Sequence, residues 1–286
     1  MQNILQVQNL CKDYGDFKLD SVSFSLPSGS IMGFIGENGA GKTTTIKLIL
    51  NMIAKDSGDV SIFGLDHTRQ EERIKQDTGV VLDELHFYEG LRPKDIPNIL
   101  RPIFDSWDDA LYNKYLKRFS VPADKTVKQL SKGMKTKLSL CTALAHNPRL
   151  LILDEATSGL DPVMRTEILD IFQDIIQDEE RAILMSTHII SDLEKVADYI
   201  TLINEGSIVF SESADRLKYG YGILRCGPND LTRIPAEDIA RQRKGTFSNE
   251  ALVKDPARLR QRYPNLTIDA ASIEEIMMFF VRSDEK

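Results

Sequence analysis

The chain has 286 residues, 42% of them hydrophobic and 28% charged, with a formal net charge of −7. That length holds one large α/β domain and a smaller appendage, and the composition is that of a folded globular chain, not a disordered or fibrous one. The acidic balance argues against a general nucleic-acid binder, no apolar run approaches the ~18 residues of a membrane span, and Met1–Leu5 lacks the basic and apolar regions of a secretory leader. The charge is uneven: residues 215–286 carry 13 Lys+Arg against 11 Asp+Glu, a net +2, which leaves −9 for residues 1–214. A solvated face is the plain reading of that tail; a membrane surface or an acidic partner is the alternative. Cys11, Cys141 and Cys226 have neither pair spacing nor a metal motif and read as buried free thiols of a reducing cytosol.

Residues 3–9 and 19–26 alternate polar and apolar side chains, the period of half-buried antiparallel strands. Pro27-Ser28-Gly29 then turns the chain into the apolar run Ile31–Ile35. Directly after it, residues 36–43 read Gly-Glu-Asn-Gly-Ala-Gly-Lys-Thr, and Thr44–Leu50 continues as a helical run. Strand, G-x-x-x-x-G-K-[ST] loop and helix in that order make a phosphate-binding loop. Backbone N–H groups of Asn38, Gly39, Ala40, Gly41 and Lys42 are expected to curl round a β-phosphate, with Gly36, Gly39 and Gly41 permitting the backbone angles. The helix N-terminus adds partial positive charge. Lys42 reaches the β- and γ-phosphates, the Thr43 hydroxyl takes a Mg²⁺ position, and Thr44 completes the nucleotide-binding set. A Gly-rich turn with an incidental Lys is the bland alternative, and the flanking strand and helix weigh against it. The chain is predicted to bind a nucleoside triphosphate.

Gly58–Gly64 suggests a further strand pair. From 91 to 128 the pattern changes: Pro93, Pro97, Pro102 and Pro122 divide short helical pieces such as 108–119, an inserted helical subdomain. Leu130-Ser131-Lys132-Gly133-Met134 opens a helix over 134–145, with Leu138, Cys141, Thr142 and Ala145 on one face. Ser131 reads either as a plain helix cap or, with the Gly133 N–H, as a grip on a γ-phosphate across a subunit interface. Pro148 ends that helix before the aliphatic run Leu150–Leu153, which suits a central parallel strand buried on both faces. Asp154 at its end is the expected second Mg²⁺ contact, and Glu155 is positioned to polarise the attacking water. A helix (163–177) and a strand (182–186) follow in alternation. His188, just past that strand, reads as a structural histidine or as a γ-phosphate sensor that also orients Glu155. A hairpin over 200–210 closes this domain near 213. Beyond it, Tyr221–Cys226 and Leu266–Asp269 are strand-like, and the last helix opens on a capping box, Ser272 with Glu275. Its stripe Ile273, Ile276, Met277 and Phe280, widened by Met278 and Phe279, is expected to pack on its own domain, with pairing to a second subunit's tail as the alternative.

In their order and spacing these motifs resemble the nucleotide-binding domain of the ABC transporter superfamily, over roughly residues 1–213. The phosphate loop matches Walker A, Leu130–Met134 the LSGGQ-type segment, Leu150–Glu155 the Walker B strand, Ser158–Asp161 the D-loop and His188 the switch histidine. Tyr14 matches the family's adenine-stacking aromatic; without that match it is a turn tyrosine. The resemblance implies a P-loop α/β core, an N-terminal antiparallel β-subdomain, an inserted helical subdomain near 87–145 and, over 214–286, a small α+β extension. It implies ATP with Mg²⁺ and a head-to-tail dimer, a homodimer being sufficient because this chain supplies every part. In that dimer Glu155 is the general base, with Lys42 and His188 beside it. Each site joins one subunit's phosphate loop to Ser131 and Gly133 of the other.

Two departures stand out. Asp83 holds the position of the family's Q-loop Gln; a carboxylate still binds Mg²⁺, but it donates no hydrogen bond as an amide does. Lys132 and Met134 replace the second Gly and the terminal Gln of LSGGQ. ATPase activity is expected to persist. With no membrane segment of its own, a transport motor needs a separate transmembrane permease subunit, which would hold this chain at the cytoplasmic face of the membrane. Asp83–Trp107, including His86, Phe87 and Tyr88, reads equally as the groove for that partner or as core aromatics. The variant LSKGM and the missing Gln resemble the branch of bacterial ABC-2-type exporter ATPases that includes YtrB-like proteins and exporters of phenol-soluble modulins, which are amphipathic peptides. The rival readings are a soluble ABC ATPase of translation or DNA maintenance and a nucleotide-dependent sensor.

Overall fold

A computed structural model of the chain describes residues 2–83, 87–227, 231, 234–244 and 249–282. The centre is a sheet in the order β10-β9-β3-β8-β7-β6, built from β3 (Ser30–Ile35), β6 (Thr78–Val81), β7 (Leu150–Asp154), β8 (Ala182–Ser186), β9 (Tyr199–Asn204) and β10 (Ser207–Ser213). All pairs but β9–β10 are parallel. Every residue of β3, β7 and β8 is buried, as continuous aliphatic runs require when both faces are covered. Successive side chains divide between the faces. Ile31, Ile35, Leu151, Leu153, Ile183 and Met185 enter one core; Met32, Phe34, Leu150, Ile152, Ala182 and Leu184 enter the other.

The second core is closed by an antiparallel sheet, β2-β1-β4-β5, of β1 (Asn3–Asp13), β2 (Lys18–Pro27), β4 (Ser57–Ile62) and β5 (Leu65–Asp66), and by α1 (Lys42–Ile49). Against the first core lie α3 (Ile96–Leu100), α4 (Asp109–Arg118) and α5 (Lys132–Leu144). Asp108 starts α4 by accepting from the N–H groups of Ala110 and Leu111 at 2.7 and 2.9 Å. The Tyr112 hydroxyl, fully buried, donates to the Pro93 carbonyl at 2.8 Å. Phe87 and Trp107 pack against this core, whereas Tyr88 is 80% exposed. Glu84 and His86 lie outside the described residues.

The C-terminal residues make a third sheet, β12-β13-β11-β14, of β11 (Tyr221–Cys226), β12 (Ile239–Lys244), β13 (Asn249–Lys254) and β14 (Ile268–Ala270). With it go α8 (Ala214–Gly220), α9 (Pro256–Arg262) and α10 (Ile273–Arg282). The capping box is formed: the Ser272 N–H donates to Glu275 Oε2 at 3.0 Å and the Glu275 N–H to Ser272 Oγ at 3.2 Å. Ile273, Ile276 and Phe279 of α10 are buried in the first core with Leu193 and Val196 of α7 (Ile190–Val196). The Ile273 N–H donates to Glu194 Oε1 at 3.1 Å. The last helix therefore packs on its own chain, with Phe279 inside and Met277 and Phe280 half-buried. Of the cysteines only Cys141 and Cys226 are buried. Cys11 is half-buried on β1, where its Sγ accepts from the Ser21 N–H at 3.2 Å, because that strand pairs at the polar outer face of its sheet.

Candidate nucleotide-binding site

β3 delivers the chain to the loop 36–41, and α1 leaves it at Lys42. The three loop glycines do not share one role. Gly39 and Gly41 have φ of 84° and 111°, and Gly41 precedes α1 from the left-handed region open to glycine. Gly36 is needed for space instead: a Cβ there would stand 2.3 Å from the Ile203 carbonyl of β9. Ala40 is buried and its carbonyl accepts from the Gly206 N–H at 3.0 Å, which ties the loop to the β9–β10 turn.

Lys42 is only 7% exposed. Its Nζ donates to the carbonyls of Gly36 at 2.8 Å and Glu37 at 3.2 Å, folded back over the loop. Burial pulls this ammonium below the ordinary lysine value, and the Glu155 and Asp154 carboxylates act against that pull. Next to it the Thr43 hydroxyl donates to Asp154 Oδ2 at 2.8 Å. The other Asp154 oxygen accepts from Ser186 Oγ at 2.6 Å, and β7 and β8 set these two residues in register. A hydroxyl and a buried carboxylate thus converge at the mouth of the loop, with Asp83 lining the same cleft. They are hard oxygen donors, the set Mg²⁺ takes when phosphate oxygens and water complete its shell. Among the described residues no group of three or more His, Cys, Asp or Glu could hold a metal alone.

Glu155 follows β7 at φ 53°, a left-handed backbone rare for a residue with a side chain. Its N–H donates to the Ser186 carbonyl at 3.0 Å. This bend lets Oε2 meet His188 Nδ1 at 2.7 Å. Asp154 and Glu155 are neighbours in sequence with opposite settings: one is locked beneath the loop, the other opens into the cleft.

Asn38, Gly39, Gly41, Lys42, Thr43, Thr44, Asp83 and Glu155 line this cleft with Phe17. An adjoining hollow adds Lys132, Ser158, Thr187, His188 and Met277. Five expected residues are not among the lining. Ala40 and Asp154 are buried behind it. Tyr14 is 50% exposed in the β1–β2 turn, with the Lys12 ammonium 5.7 Å from its ring. Ser131 is exposed and caps α5, accepting from the Met134 N–H at 3.3 Å. Gly133 sits by its own D-loop, where a Cβ would lie 3.6 Å from the Gly159 carbonyl. The sequence reading missed Phe17, Ser186 and Met277. Ser186 was visible as the polar end of an apolar strand facing Asp154; Met277 carries no such mark.

A second hollow of about 380 Å³ separates α1 and α2 (Glu71–Gln76) from the helical subdomain. It is lined chiefly by apolar groups, among them Ile49, Leu50, Met52, Ile74, Leu100 and Phe104. Thr78, His67 and His146 also border it, and burial pulls both imidazoles below their ordinary value.

A phosphate loop on a parallel sheet, with an antiparallel sheet over one face and a helical insert over the other, defines an ATP-binding cassette. The ABC transporter family model matches residues 19–158. The bacitracin transport ATP-binding protein BcrA of Bacillus licheniformis is 33% identical over 76% of this chain and 72% of its own length. YtrB of Bacillus subtilis, an ABC transporter ATP-binding protein, is 32% identical over 72% and 70%. The lantibiotic transport ATP-binding protein SrtF of Streptococcus pyogenes is 34% identical over 74% and 92%. A solved ATP-binding subunit of an ABC transporter superposes with a TM-score of 0.69 at 26% identity, over 75% of this chain and 92% of that one. The chain belongs to the ABC transporter family, as an ATP-binding subunit of the kind that hydrolyses ATP to power transport. No helix among the described residues is long and apolar enough to cross a membrane.

Proposed function

We propose that this subunit drives export of amphipathic or antimicrobial peptides, working as a homodimer docked on a separate transmembrane permease at the cytoplasmic face of the membrane. Residues 1–213 are its ATPase domain, with the helical subdomain at 87–145, and residues 214–286 are an appended extension. The observation that carries the reading is the state of the two half-sites. The Thr43–Asp154–Ser186 network and the Glu155–His188 contact are assembled around the phosphate loop. Ser131, which has its own match in the family pattern, is exposed and lies outside the cleft lining of its own chain. A half-site of that kind is completed by a second copy, head to tail.

In the closed pair Asn38–Lys42 cradle the β-phosphate, Lys42 leaves the Gly36 and Glu37 carbonyls for the β- and γ-oxygens, and Ser131 and Gly133 of the second copy face the γ-phosphate. Mg²⁺, when bound, supplies neutralisation of the phosphate charge, and Thr43, Asp154 and Asp83 are the residues that would hold it. Glu155 takes a proton from the attacking water, while His188 at 2.7 Å fixes the carboxylate's orientation. Tyr14 stacks on adenine. The apolar hollow between α1 and the helical subdomain receives the permease; it supports that use by being open, apolar and bounded by both the core and the helical subdomain. The bacitracin and lantibiotic transport relatives support peptide cargo, and YtrB supports the branch. The net charge and the site's chemistry favour no nucleic-acid partner.

The test is co-purification of the full chain from membranes with an integral subunit, followed by Mg²⁺-dependent phosphate release and small-angle scattering with ATP. The expected result is a membrane complex whose ATPase subunits close on ATP. A preparation that carries RNA and no membrane protein overturns the transport reading; scattering that stays monomeric with ATP and Mg²⁺ overturns the pairing.

A further inference from the structure

The two departures from the family pattern meet. Asp83 and Lys132 are 49 residues apart in sequence, yet Lys132 Nζ donates to Asp83 Oδ1 at 3.1 Å. We propose that they form an exchangeable ion pair that holds the Ser131–Met134 segment against its own subunit's nucleotide cleft and gives way when ATP and Mg²⁺ load.

Two placements require a partner for each charge. Asp83 lines the cleft beside Thr43 and Glu155. A carboxylate there repels an incoming triphosphate unless a cation neutralises it, and the amide it replaces carries no such charge. Lys132 is the first residue of α5, whose first turn holds no acid. An ammonium at the positive end of a helix is itself unfavourable without an anion nearby. Each side chain supplies what the other lacks, and the pair spans from the end of β6 to the start of α5, across the joint between core and helical subdomain.

Loading changes both partners at once. This step rests on the ATP site described above. Mg²⁺ offers Asp83 a divalent cation in place of the ammonium, and the freed Lys132 keeps its position beside Ser131, where the second copy's triphosphate is the next anion. Each group keeps a counter-charge at every stage: Asp83 trades an ammonium for the divalent cation, and Lys132 trades a carboxylate for a phosphate. Both side chains are exposed, so the pair is weak enough to exchange. Lys132 and Asp83 are positioning residues here; neither moves a proton.

The experiment is a double-mutant cycle on the full chain without nucleotide: Asp83→Asn, Lys132→Gln, both together, and the swap D83K/K132D. Hydrogen exchange at the amides of residues 132–136 reads the tether. Each single change is expected to speed exchange about two- to fivefold, the double change no further, and the swap to restore protection. Additive single effects, or a swap that fails to restore, overturn the proposal. A second readout uses a fluorescent ATP analogue. Lys132→Gln is expected to weaken binding several-fold in EDTA and hardly at all with Mg²⁺, because the metal then masks Asp83; equal loss in both conditions overturns the exchange. If the wild type binds no analogue, the ATP site itself fails, and the nucleotide-free cycle still decides the tether. Thermal melts report whether each variant folds, which exposed positions allow.

Discussion

The phosphate-loop half of the site and the Ser131 half are built differently. In the first, Lys42 and Asp154 are buried, and Thr43, Asp154, Ser186, Glu155 and His188 are joined by bonds of 2.6–2.8 Å. In the second, Ser131 and Lys132 are exposed, and Lys132 reaches the cleft residue Asp83 through a surface ion pair. Buried, satisfied networks are rigid, and exposed pairs are cheap to rearrange. Under the proposed head-to-tail pairing, the contrast gives the chemistry to the pre-formed half and the timing of closure to the exposed half. Substitutions in the first should therefore cost catalysis or stability, and those in the second should change when the site closes.

The largest effect is expected from Glu155→Gln. Removing the base while keeping the shape should lower turnover about 10²–10⁴-fold, with ATP still bound and the closed pair long-lived in size-exclusion chromatography. Rapid turnover in this variant would place the base elsewhere. Next is Ser186→Ala, which strips a donor from a buried carboxylate oxygen. A hydrogen bond to a charged group is worth about 1.5–3 kcal/mol, so calorimetry should show a melting temperature lower by roughly 3–10 °C. By contrast Ser131→Ala should leave the melting temperature nearly unchanged beyond the loss of a cap, about 1 kcal/mol, and slow ATP-driven pairing. Comparable melting losses at Ser131 and Ser186 would erase the distinction between the halves.

Which parts were legible in the sequence follows the same division. The phosphate loop, the Asp154–Glu155 pair and His188 each carry their chemistry within a few residues of an apolar strand, so local pattern finds them. The Asp83–Lys132 pair, Phe17 and Met277 come to the site from separate elements, and no local period announces such contacts. β12 and β13 also escaped reading: β12 carries Arg241 and Arg243 as an edge strand, and charge on an edge hides the strand pattern while guarding it from mispairing. Gly36 was legible as required, but for the wrong reason, since its constraint is the Ile203 carbonyl and not its backbone angle. Phe17 and Tyr14 can be separated by nucleotide titration. Tyr14→Ala should weaken ATP binding by about 1–3 kcal/mol if it stacks on adenine. Phe17→Ala should loosen the packing near Gly41 instead, with a smaller effect on affinity. A larger loss at Phe17 transfers the adenine contact to it.

The smallest expected effect concerns the joint between the D-loop side and the switch side. Asp192 of α7 is buried 3.7 Å from the guanidinium of Arg165, which lies on α6 (Pro162–Ile175). Burial raises the Asp192 carboxyl above its ordinary value, while Arg165 and the Thr157 hydroxyl oppose the rise. A carboxyl raised in the folded state adds stability that is lost as pH increases through its folded value and is complete below the unfolded one. Urea midpoints of the wild type and Asp192→Asn should therefore diverge in favour of the wild type as pH falls from 7 toward 4, and the amide should remove that pH dependence. Arg165 acts against the burial cost, and the divergence reports on α7, the helix that leads from His188 to the buried face of α10. If the two midpoints keep a constant separation across that range, Asp192 is already settled as a carboxylate by Arg165, and the switch side is held to the D-loop side by a charge pair as firm as the phosphate-loop network.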